Sequence, residues 1–275
     1  MKFSEIPKFV INLDRRPDRM ESITKEMEYI GWDFERFSAI DTNSYMGITK
    51  STFEIIKIAK ERKYPRVMII EDDCGFMPYS KDLLEQIENS CPDLEFAMFN
   101  LGPTQNRPIN VTEHCDLLFD MTNTPEAPEE SRGIYGANMV IYDESIYDKI
   151  FDIALTAFTN SGEYYFALDD YTYRFIVQKH QSYCPILPIA PQKTNYSNIS
   201  EGVYNNWYMQ TYNWNRWCPR KIPGEFMDQY KVQEMKERNE HHKLRTQAYK
   251  DQGRESRRQL SDVMRWNMRL QYAAA

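Results

Sequence analysis

The sequence predicts an α/β protein with a mainly parallel sheet flanked by helices. Residues 8–13 and 66–70 are short apolar runs with the composition of buried strands, and 33–39 fits a strand between them. The two intervening segments repeat apolar residues every three or four positions, which is the spacing of one helical face. Strand, helix, strand, helix, strand in this order is typical of parallel strands joined by crossover helices.

The first strand–helix unit has the clearest boundaries. Residues 8–13 read KFVINL and stop at Asp14, and Pro17 follows at a position that the first turn of a helix tolerates. Gly31 is typical of a helix end, because glycine readily adopts the left-handed conformation found there. We therefore expect a helix between Pro17 and Gly31, with an apolar stripe formed by Met20, Ile23, Met27 and Ile30.

Later segments repeat these patterns, with one long interruption. Residues 103–132 hold several Pro, Asn and Glu residues and are predicted to form a long loop. From residue 225 the chain is charged and helical, with a break expected at Gly253. The further helices are predicted at 48–62, 80–89, 143–156 and 169–179, and the further strands at 95–102, 135–142 and 182–190.

The composition excludes several classes of protein. A hydrophobic fraction of 41% and an aromatic fraction of 14% are enough to build a core and argue against disorder. The net charge of -7 argues against general nucleic-acid binding, and no apolar run is long enough for a transmembrane segment. The 5 cysteines, an odd number without a CxxC pair, favour reduced thiols and a cytoplasmic protein.

An acidic triplet follows the buried strand at 66–70. Ligands of open α/β sheets bind at the carboxyl ends of the strands, where this triplet is expected to lie. Carboxylates are the hard oxygen ligands that Mg²⁺ and Mn²⁺ prefer, usually with substrate phosphates completing the coordination shell. Glu71 and Asp73 would project to the same side of an extended chain and are the predicted metal ligands. A solvated acidic turn is the competing interpretation.

Several segments resemble glycosyltransferase family 25, which includes bacterial lipooligosaccharide galactosyltransferases and collagen galactosyltransferases. The resemblance extends over about residues 7–200 in consistent order. It rests on FVINLDRRPDRM, FSAIDT, VMIIEDD, FNLG, RGIYGANMVIYDESIYDKI, ALDDYTY and PQKTNYSNIS. The chain departs from the family at 47–52, where Cys and His are missing, and at Asn198, where an acid is usual, so the donor sugar stays open.

The resemblance implies a GT-A-like fold and a metal-dependent hexosyltransferase. The donor would be a nucleotide sugar, with a UDP-hexose favoured and UDP-galactose common in the family, and Mn²⁺ (or Mg²⁺) would be the cofactor. The acceptor would be a glycan or another hydroxyl compound. On this basis residues 1–102 form the nucleotide-sugar-binding half, 103–224 the acceptor-binding half of the same domain, and 225–275 a charged helical tail.

Other site residues are predicted from their places along the chain. Asp169, which matches a family aspartate, is the first candidate for the base that takes the acceptor proton, and Asp170 is the second. Either could instead cap a helix. The predicted contacts to the diphosphate, ribose or base are Asn12, Asp14, Arg15, Arg19, Asp41 and Asp72, of which the first four lie where a strand ends and a helix begins.

Two other functions compete with this interpretation. One is an inactive relative that keeps the fold and binds only a glycan or a partner protein. The other is a metal-dependent phosphohydrolase, although that class normally needs more His or Asp ligands than this sequence supplies. The tail at 225–275 is expected to pack against the body or a second subunit, and peripheral contact with a membrane surface is an alternative.

Overall fold

The computed structural model describes residues 1–42, 45–105, 110–111, 116–122, 134–153, 176–177, 179–193, 195–197, 202–204 and 224–251. Three helices belong to the first half of the chain: α1 (Pro17–Ile30), α2 (Tyr45–Glu61) and α3 (Ser80–Ser90). A 3-10 turn at Glu144–Ile146 leads into helical residues 147–153, and a C-terminal helix runs over Gly224–Asp251.

Twelve short strands are found in the described part of the chain. Those of the first half are β1 (Lys8–Asn12), β2 (Glu35–Ser38), β3 (Arg66–Glu71), β4 (Met98–Asn100), β5 (Thr104–Gln105), β6 (Asn110–Val111) and β7 (Leu118–Asp120). The second half contributes β8 (Ile134–Tyr135), β9 (Met139–Asp143), β10 (Ser182–Pro185), β11 (Asn195–Ser197) and β12 (Gly202–Tyr204).

Eight of these strands form one sheet in the order β2-β1-β3-β9-β4-β10-β7-β6. β1 pairs in parallel with β2 and β3, and β4 pairs in parallel with β10. β9 is antiparallel to both of its neighbours, and so is β7, so the other strands all run in one direction. The predicted class is confirmed: an α/β fold with a mainly parallel sheet, flanking helices and a helical C-terminal extension. The finer GT-A-like assignment stays a prediction from the family resemblance.

Helix α1 and strand β1 follow the sequence prediction closely. In α1 the residues Ile23, Met27 and Ile30 are buried, and they belong to the predicted apolar stripe. Gly31 closes the helix with φ 79°, and its amide donates to the carbonyl groups of Met27 and Glu28. Every residue of β1 is buried, which is the pattern of a central strand covered on both faces.

The middle of the chain differs from the prediction in detail. The predicted loop at 103–132 contains β5, β6 and β7, which are too short to give a visible alternation of apolar residues. The predicted strand at 135–142 is interrupted at Gly136, where φ is 86°, and the chain divides into β8 and β9. The strands predicted at 95–102 and 182–190 shorten to β4 and β10.

In the C-terminal helix, the described side chains that are buried lie near its start. Phe226 and Tyr230 are buried, and the Phe226 ring packs against Tyr79 with the ring centroids 5.6 Å apart. Farther along, Val232 and Met235 are 49% and 60% exposed. No helix in the described part of the chain combines the length and apolar character that a bilayer crossing needs. The predicted break at Gly253 lies outside the described residues.

Candidate functional site at the carboxyl edge of the sheet

Polar side chains from three neighbouring strands meet at one edge of the sheet. In the pairing of β1 with β3, Ile11 lies opposite Glu71, and in the pairing of β1 with β2, Asn12 lies opposite Ser38. β1, β2 and β3 therefore end side by side. The chain after β3 turns at Asp72 and Asp73, so the acidic triplet reaches the edge where ligands of such sheets bind.

Asn12 connects the end of β1 to the acidic triplet. Its side-chain amide donates to Asp72 Oδ2 at 2.7 Å and to the Arg16 carbonyl oxygen at 3.0 Å. Asn12 and Asp72 are only 2% and 7% exposed, so this contact is well shielded from water. A hydrogen bond to a buried carboxylate fixes its orientation and compensates part of its lost hydration.

Arg19 on α1 is the cation in direct contact with the triplet. Its Nη1 atom lies 3.0 Å from Asp72 Oδ1 and 3.3 Å from Asp73 Oδ2. The three side chains are 9–15% exposed, so the ion pairs are largely buried. One guanidinium thus offsets two carboxylates, and the cluster keeps a negative charge.

Asp73 is the least compensated carboxylate of the cluster. Among the described residues its Oδ1 atom is buried and has no hydrogen-bond partner. Burial raises the pKa of the Asp73 carboxyl to about 6, partly opposed by Arg19 and reinforced by the charge of Asp72. Buried polar atoms without partners are rare in folded proteins and often mark a place for an ion or ligand.

The segment after β10 forms hydrogen bonds with the acidic triplet and with the residues that follow it. The Lys193 amide donates to the Asp73 carbonyl at 2.7 Å, and the Gly75 amide donates to the Pro191 carbonyl at 2.9 Å. Gln192 Nε2 lies 3.4 Å from Glu71 Oε2, and Glu71 itself is half-buried. These contacts hold the carboxylates in a defined position relative to the sheet.

Asn138, just before β9, adds a second brace. Its carbonyl oxygen accepts hydrogen bonds from the Glu71 amide and from the Cys74 thiol, each at 2.8 Å. Its side-chain amide donates to the Ala190 carbonyl at 2.5 Å, although its Oδ1 atom is buried without a partner in the described part of the chain. Cys74 is fully buried, and burial raises its pKa well above the ordinary thiol value, so it is an inert packing residue.

Three other residues predicted to contact a nucleotide, Asp14, Arg15 and Asp41, take part in two ion pairs. Arg15 pairs with Asp41, and Arg36 pairs with Asp14, which also accepts from Ser38 Oγ at 2.9 Å. The Arg36 Nε atom donates to Asn12 Oδ1 at 3.1 Å and so links this cluster to the buried one. The hydrogen bond from Arg36 lowers the pKa of the exposed Asp14.

A groove opens next to these side chains, between α1 and the ends of β1 and β2. It has a volume of ≈ 670 Å³, which is in the range of pockets for nucleotides and other small ligands. Its lining residues are Asn12, Asp14, Pro17, Met20, Glu21, Thr24, Lys25, Glu28 and Arg36. The lining thus combines the apolar side chains of Pro17 and Met20 with charged groups from α1, from β2 and from the end of β1.

The structure brings most of the predicted site residues to one edge of the sheet. Glu71, Asp72 and Asp73 are held there by the contacts described above, with Asn12 bonded to Asp72 and Arg19 in contact with both aspartates. The predicted catalytic residues Asp169 and Asp170 lie outside the described residues. Their role stays a prediction.

The acidic loop also bears on the predicted cofactor. Within the residues that the structure describes, no three His, Cys, Asp or Glu side chains converge to hold a metal ion. Mg²⁺ and Mn²⁺ need only one or two protein carboxylates when a bound diphosphate supplies other ligands. The partnerless Asp73 Oδ1 atom, with Glu71 nearby in the chain, fits such a shared site.

Sequence reasoning missed four residues that shape this edge: Arg36, Asn138, Gln192 and Lys193. Arg36 lies within β2 and Asn138 just before β9, and nothing local in the sequence shows that either reaches Asn12 or Glu71. Gln192 and Lys193 lie in a segment that resembles glycosyltransferase family 25, but the resemblance predicted no role for either residue. Only the strand order reveals that residues this far apart share one site.

Comparisons with known proteins find similarity in structure alone. The chain is similar to a glycosyltransferase involved in the glycosylation of the major capsid of PBCV-1, with 9% identity, a TM-score of 0.42 and coverage of 76% of this chain and 98% of that one. It is also similar to the inositol-1-phosphate CTP transferase from T. maritima, with 11% identity, a TM-score of 0.36 and coverage of 65% of each chain. Similarity at this level does not establish a shared activity.

No protein-family model and no curated protein matches the chain. Membership of glycosyltransferase family 25 therefore stays a prediction from the sequence motifs.

Proposed function

We propose that this protein is a glycosyltransferase that moves a sugar from a nucleotide diphosphate donor to a hydroxyl acceptor. The favoured donor is a UDP-hexose such as UDP-galactose, and the favoured acceptor is a glycan. The observation that carries this proposal is the buried acidic loop at the carboxyl edge of β3. There one oxygen of Asp73 has no hydrogen-bond partner among the described residues. Asn12, at the end of β1, donates to Asp72 of this loop and lines the groove of ≈ 670 Å³.

The nucleoside part of the donor would occupy the groove beside α1. Asp14 and Arg36 line this groove with a carboxylate and a guanidinium, which suit hydroxyl groups and phosphate oxygens respectively. Pro17, the first residue of α1, lines this groove, and a helix N-terminus favours negative charge. Arg15 and Asp41 lie at the margin of this region, in the segments that follow β1 and β2, and complete the proposed nucleotide contacts.

Asp73 and Glu71 are the residues that would hold the divalent metal, with Mn²⁺ favoured and Mg²⁺ as the alternative. When bound, such a metal neutralises charge that develops on the departing nucleoside diphosphate. Asn12 and Arg19 keep Asp72 and Asp73 in fixed orientations. The contacts of Gln192 and Lys193 with Glu71 and Asp73 would hold the loop in place beside a bound diphosphate.

The transfer itself needs a base for the acceptor. In an inverting reaction the acceptor oxygen bonds to the anomeric carbon, the bond from that carbon to the diphosphate oxygen breaks, and the hydroxyl proton passes to a carboxylate. Asp169 is our first candidate for this carboxylate, and Asp170 is the second. Both remain candidates from the sequence.

A donor panel tests the proposal. The full-length chain is incubated with UDP-, GDP- and CMP-sugars, with Mn²⁺ or with a chelator, and the released nucleotide is measured. We expect release of UDP from at least one UDP-hexose, faster with a hydroxyl acceptor and lost in chelator. Release from no donor would contradict the transferase proposal.

The same panel distinguishes the inactive alternative. A protein that only binds would be stabilised against heat by UDP with Mn²⁺ while releasing no nucleotide from any sugar donor. Absence of both stabilisation and release would remove the nucleotide site altogether.

A further inference from the structure

Arg19 occupies a position that a metal ion would share. Its guanidinium contacts one oxygen of each aspartate, Asp72 Oδ1 at 3.0 Å and Asp73 Oδ2 at 3.3 Å. Its side chain is 15% exposed, so the charge is held in the protein rather than in solvent. Asp72 and Asp73 therefore each have one oxygen paired with Arg19 in the protein without ligands.

The two aspartates differ in what remains available. The second oxygen of Asp72 accepts from Asn12 at 2.7 Å, so Asp72 is bonded at both oxygens. The second oxygen of Asp73 is buried with no hydrogen-bond partner among the described residues. A cation that binds Asp73 must therefore approach a carboxylate whose other oxygen already faces a guanidinium.

These contacts imply competition. Two cations on one carboxylate repel each other strongly in a poorly hydrated site. A donor diphosphate carries negative charge that would attract both cations and remove much of this repulsion. Metal and donor would then bind together far better than either binds alone, which is a positive coupling of two ligands.

We propose that Arg19 is the internal counter-cation of the acidic loop, and that it weakens metal binding until the nucleotide diphosphate is present. This inference rests on the proposed function, because the diphosphate belongs to the proposed nucleotide-sugar donor. Arg19 acts here as a positioning residue: it fixes Asp72 and Asp73 and sets the metal affinity of the site.

Mn²⁺ binding without nucleotide is the direct test. Free Mn²⁺ is followed by electron paramagnetic resonance in the wild type, in Arg19→Gln and in a control, Arg62→Gln. Arg62 is matched because its guanidinium pairs with a carboxylate, Glu35, on the exposed surface at the start of β2. We expect Arg19→Gln to bind Mn²⁺ about tenfold more tightly than the wild type, and Arg62→Gln to match the wild type.

Addition of UDP gives the second reading. In the wild type UDP should increase Mn²⁺ affinity by about tenfold or more, and in Arg19→Gln by clearly less. Equal or weaker Mn²⁺ binding by Arg19→Gln, or an unchanged effect of UDP, would overturn the inference. Sugar-donor turnover in chelator, with no Mn²⁺ bound to any variant, would also overturn it and would leave the transferase activity standing.

A further variant and a wild-type measurement cover the case in which Arg19→Gln does not fold. Arg19→Lys keeps a cation, and its Mn²⁺ affinity should stay within about threefold of the wild type. In the wild-type protein the Arg19 Nε–H resonance should shift when Mg²⁺ and UDP are added together. An unchanged resonance, in a protein that binds both ligands, would overturn the inference.

Discussion

The two ends of β1 both bury a cation, but they treat it differently. At the amino end Lys8 is 4% exposed, and its Nζ atom donates to the carbonyl groups of Ser4 at 2.9 Å and Ile6 at 2.7 Å. At the carboxyl end the charged cluster around Arg19 includes Asp73, whose buried Oδ1 atom has no hydrogen-bond partner in the part of the chain that the structure describes.

We interpret Lys8 as a structural charge and the cluster around Arg19 as part of the proposed site. Backbone carbonyl groups only a few residues away accept hydrogen bonds from Lys8, so the amino end of β1 needs no ligand. The carboxyl end combines side chains from α1, β1 and the turn after β3, and it still carries excess negative charge. Such frustration is typical of a site that a ligand completes.

The largest expected effect concerns Asp73. Asp73→Asn removes the proposed metal ligand, and we expect donor turnover to fall about 100-fold or more. Asp18→Asn is the control, because Asp18 is an exposed carboxylate on the same helix as Arg19. Nucleotide release under saturating Mn²⁺ measures the effect, and turnover within threefold of the wild type would contradict the assignment.

The same substitution should stabilise the metal-free protein. The folded pKa of Asp73 is raised from 3.8 to about 6, so the protonated form contributes stability that is lost as pH rises from about 4 to about 6. Asparagine stays neutral, and we expect the melting temperature of Asp73→Asn in chelator at pH 7.5 to exceed that of the wild type by a few degrees. The gain should shrink toward pH 4, and a lower melting temperature at pH 7.5 would contradict this account.

Asn12 should have the next largest effect. Asn12→Leu removes the donor to Asp72 Oδ2 and leaves a buried carboxylate oxygen unpaired, which costs about 1–3 kcal/mol of unfolding free energy. Urea denaturation measures the loss. Asn89→Leu makes the same change at an exposed position of α3 and should stay within about 0.5 kcal/mol of the wild type. Equal stability of the two variants would show that Asn12 does not support the loop.

Lys8 should behave in the opposite way to Asn12. Its pKa is lowered from 10.5 to about 8, chiefly by burial, so the charged form opposes folding and this cost is relieved as pH rises from about 8 to about 10.5. Lys8→Met should therefore stabilise the protein by about 1 kcal/mol at pH 7.5, with a smaller gain at pH 9.5. Unfolding free energies at both pH values test this, and a gain that grows with pH would contradict it.

The smallest effect is expected where a charge pair lies in solvent. Lys57 and Glu54 pair at 3.8 Å on α2, with side chains 60% and 51% exposed. Lys57→Gln should change the unfolding free energy by less than about 0.5 kcal/mol, and less at high salt, because water and ions screen such pairs. A larger loss of unfolding free energy would show that exposed charges matter as much as the buried charges at the two ends of β1.

Local patterns were sufficient to predict the first half of the fold. The apolar runs at β1 and β3 and the Pro17 and Gly31 signals each depend on neighbouring residues, and the structure confirms them. The direction of β9 could not be predicted, because an apolar run is the same in a parallel and an antiparallel strand. The short strands between 104 and 120 carry too few residues for a visible period.

The candidate site was predictable in part for the same reason. Asn12 and the acidic triplet follow apolar strands directly, and their meeting at one edge follows from parallel pairing. The pairing of Arg19 with Asp72 and Asp73 depends on how α1 packs across the sheet, and residue types alone do not reveal it. Arg36 and Asn138 reach the site through strand order, which is a property of the whole sheet.

Titration calorimetry of UDP, with Mn²⁺ and with chelator, tests the central claim most directly. The claim is that the carboxyl edge of β1 and β3 binds a nucleoside diphosphate through a metal at Asp73. We expect UDP to bind the wild type at least tenfold more tightly with Mn²⁺ than in chelator, and Asp73→Asn to lose this difference. Equal UDP affinity in both buffers, or no UDP binding in either, would contradict the claim.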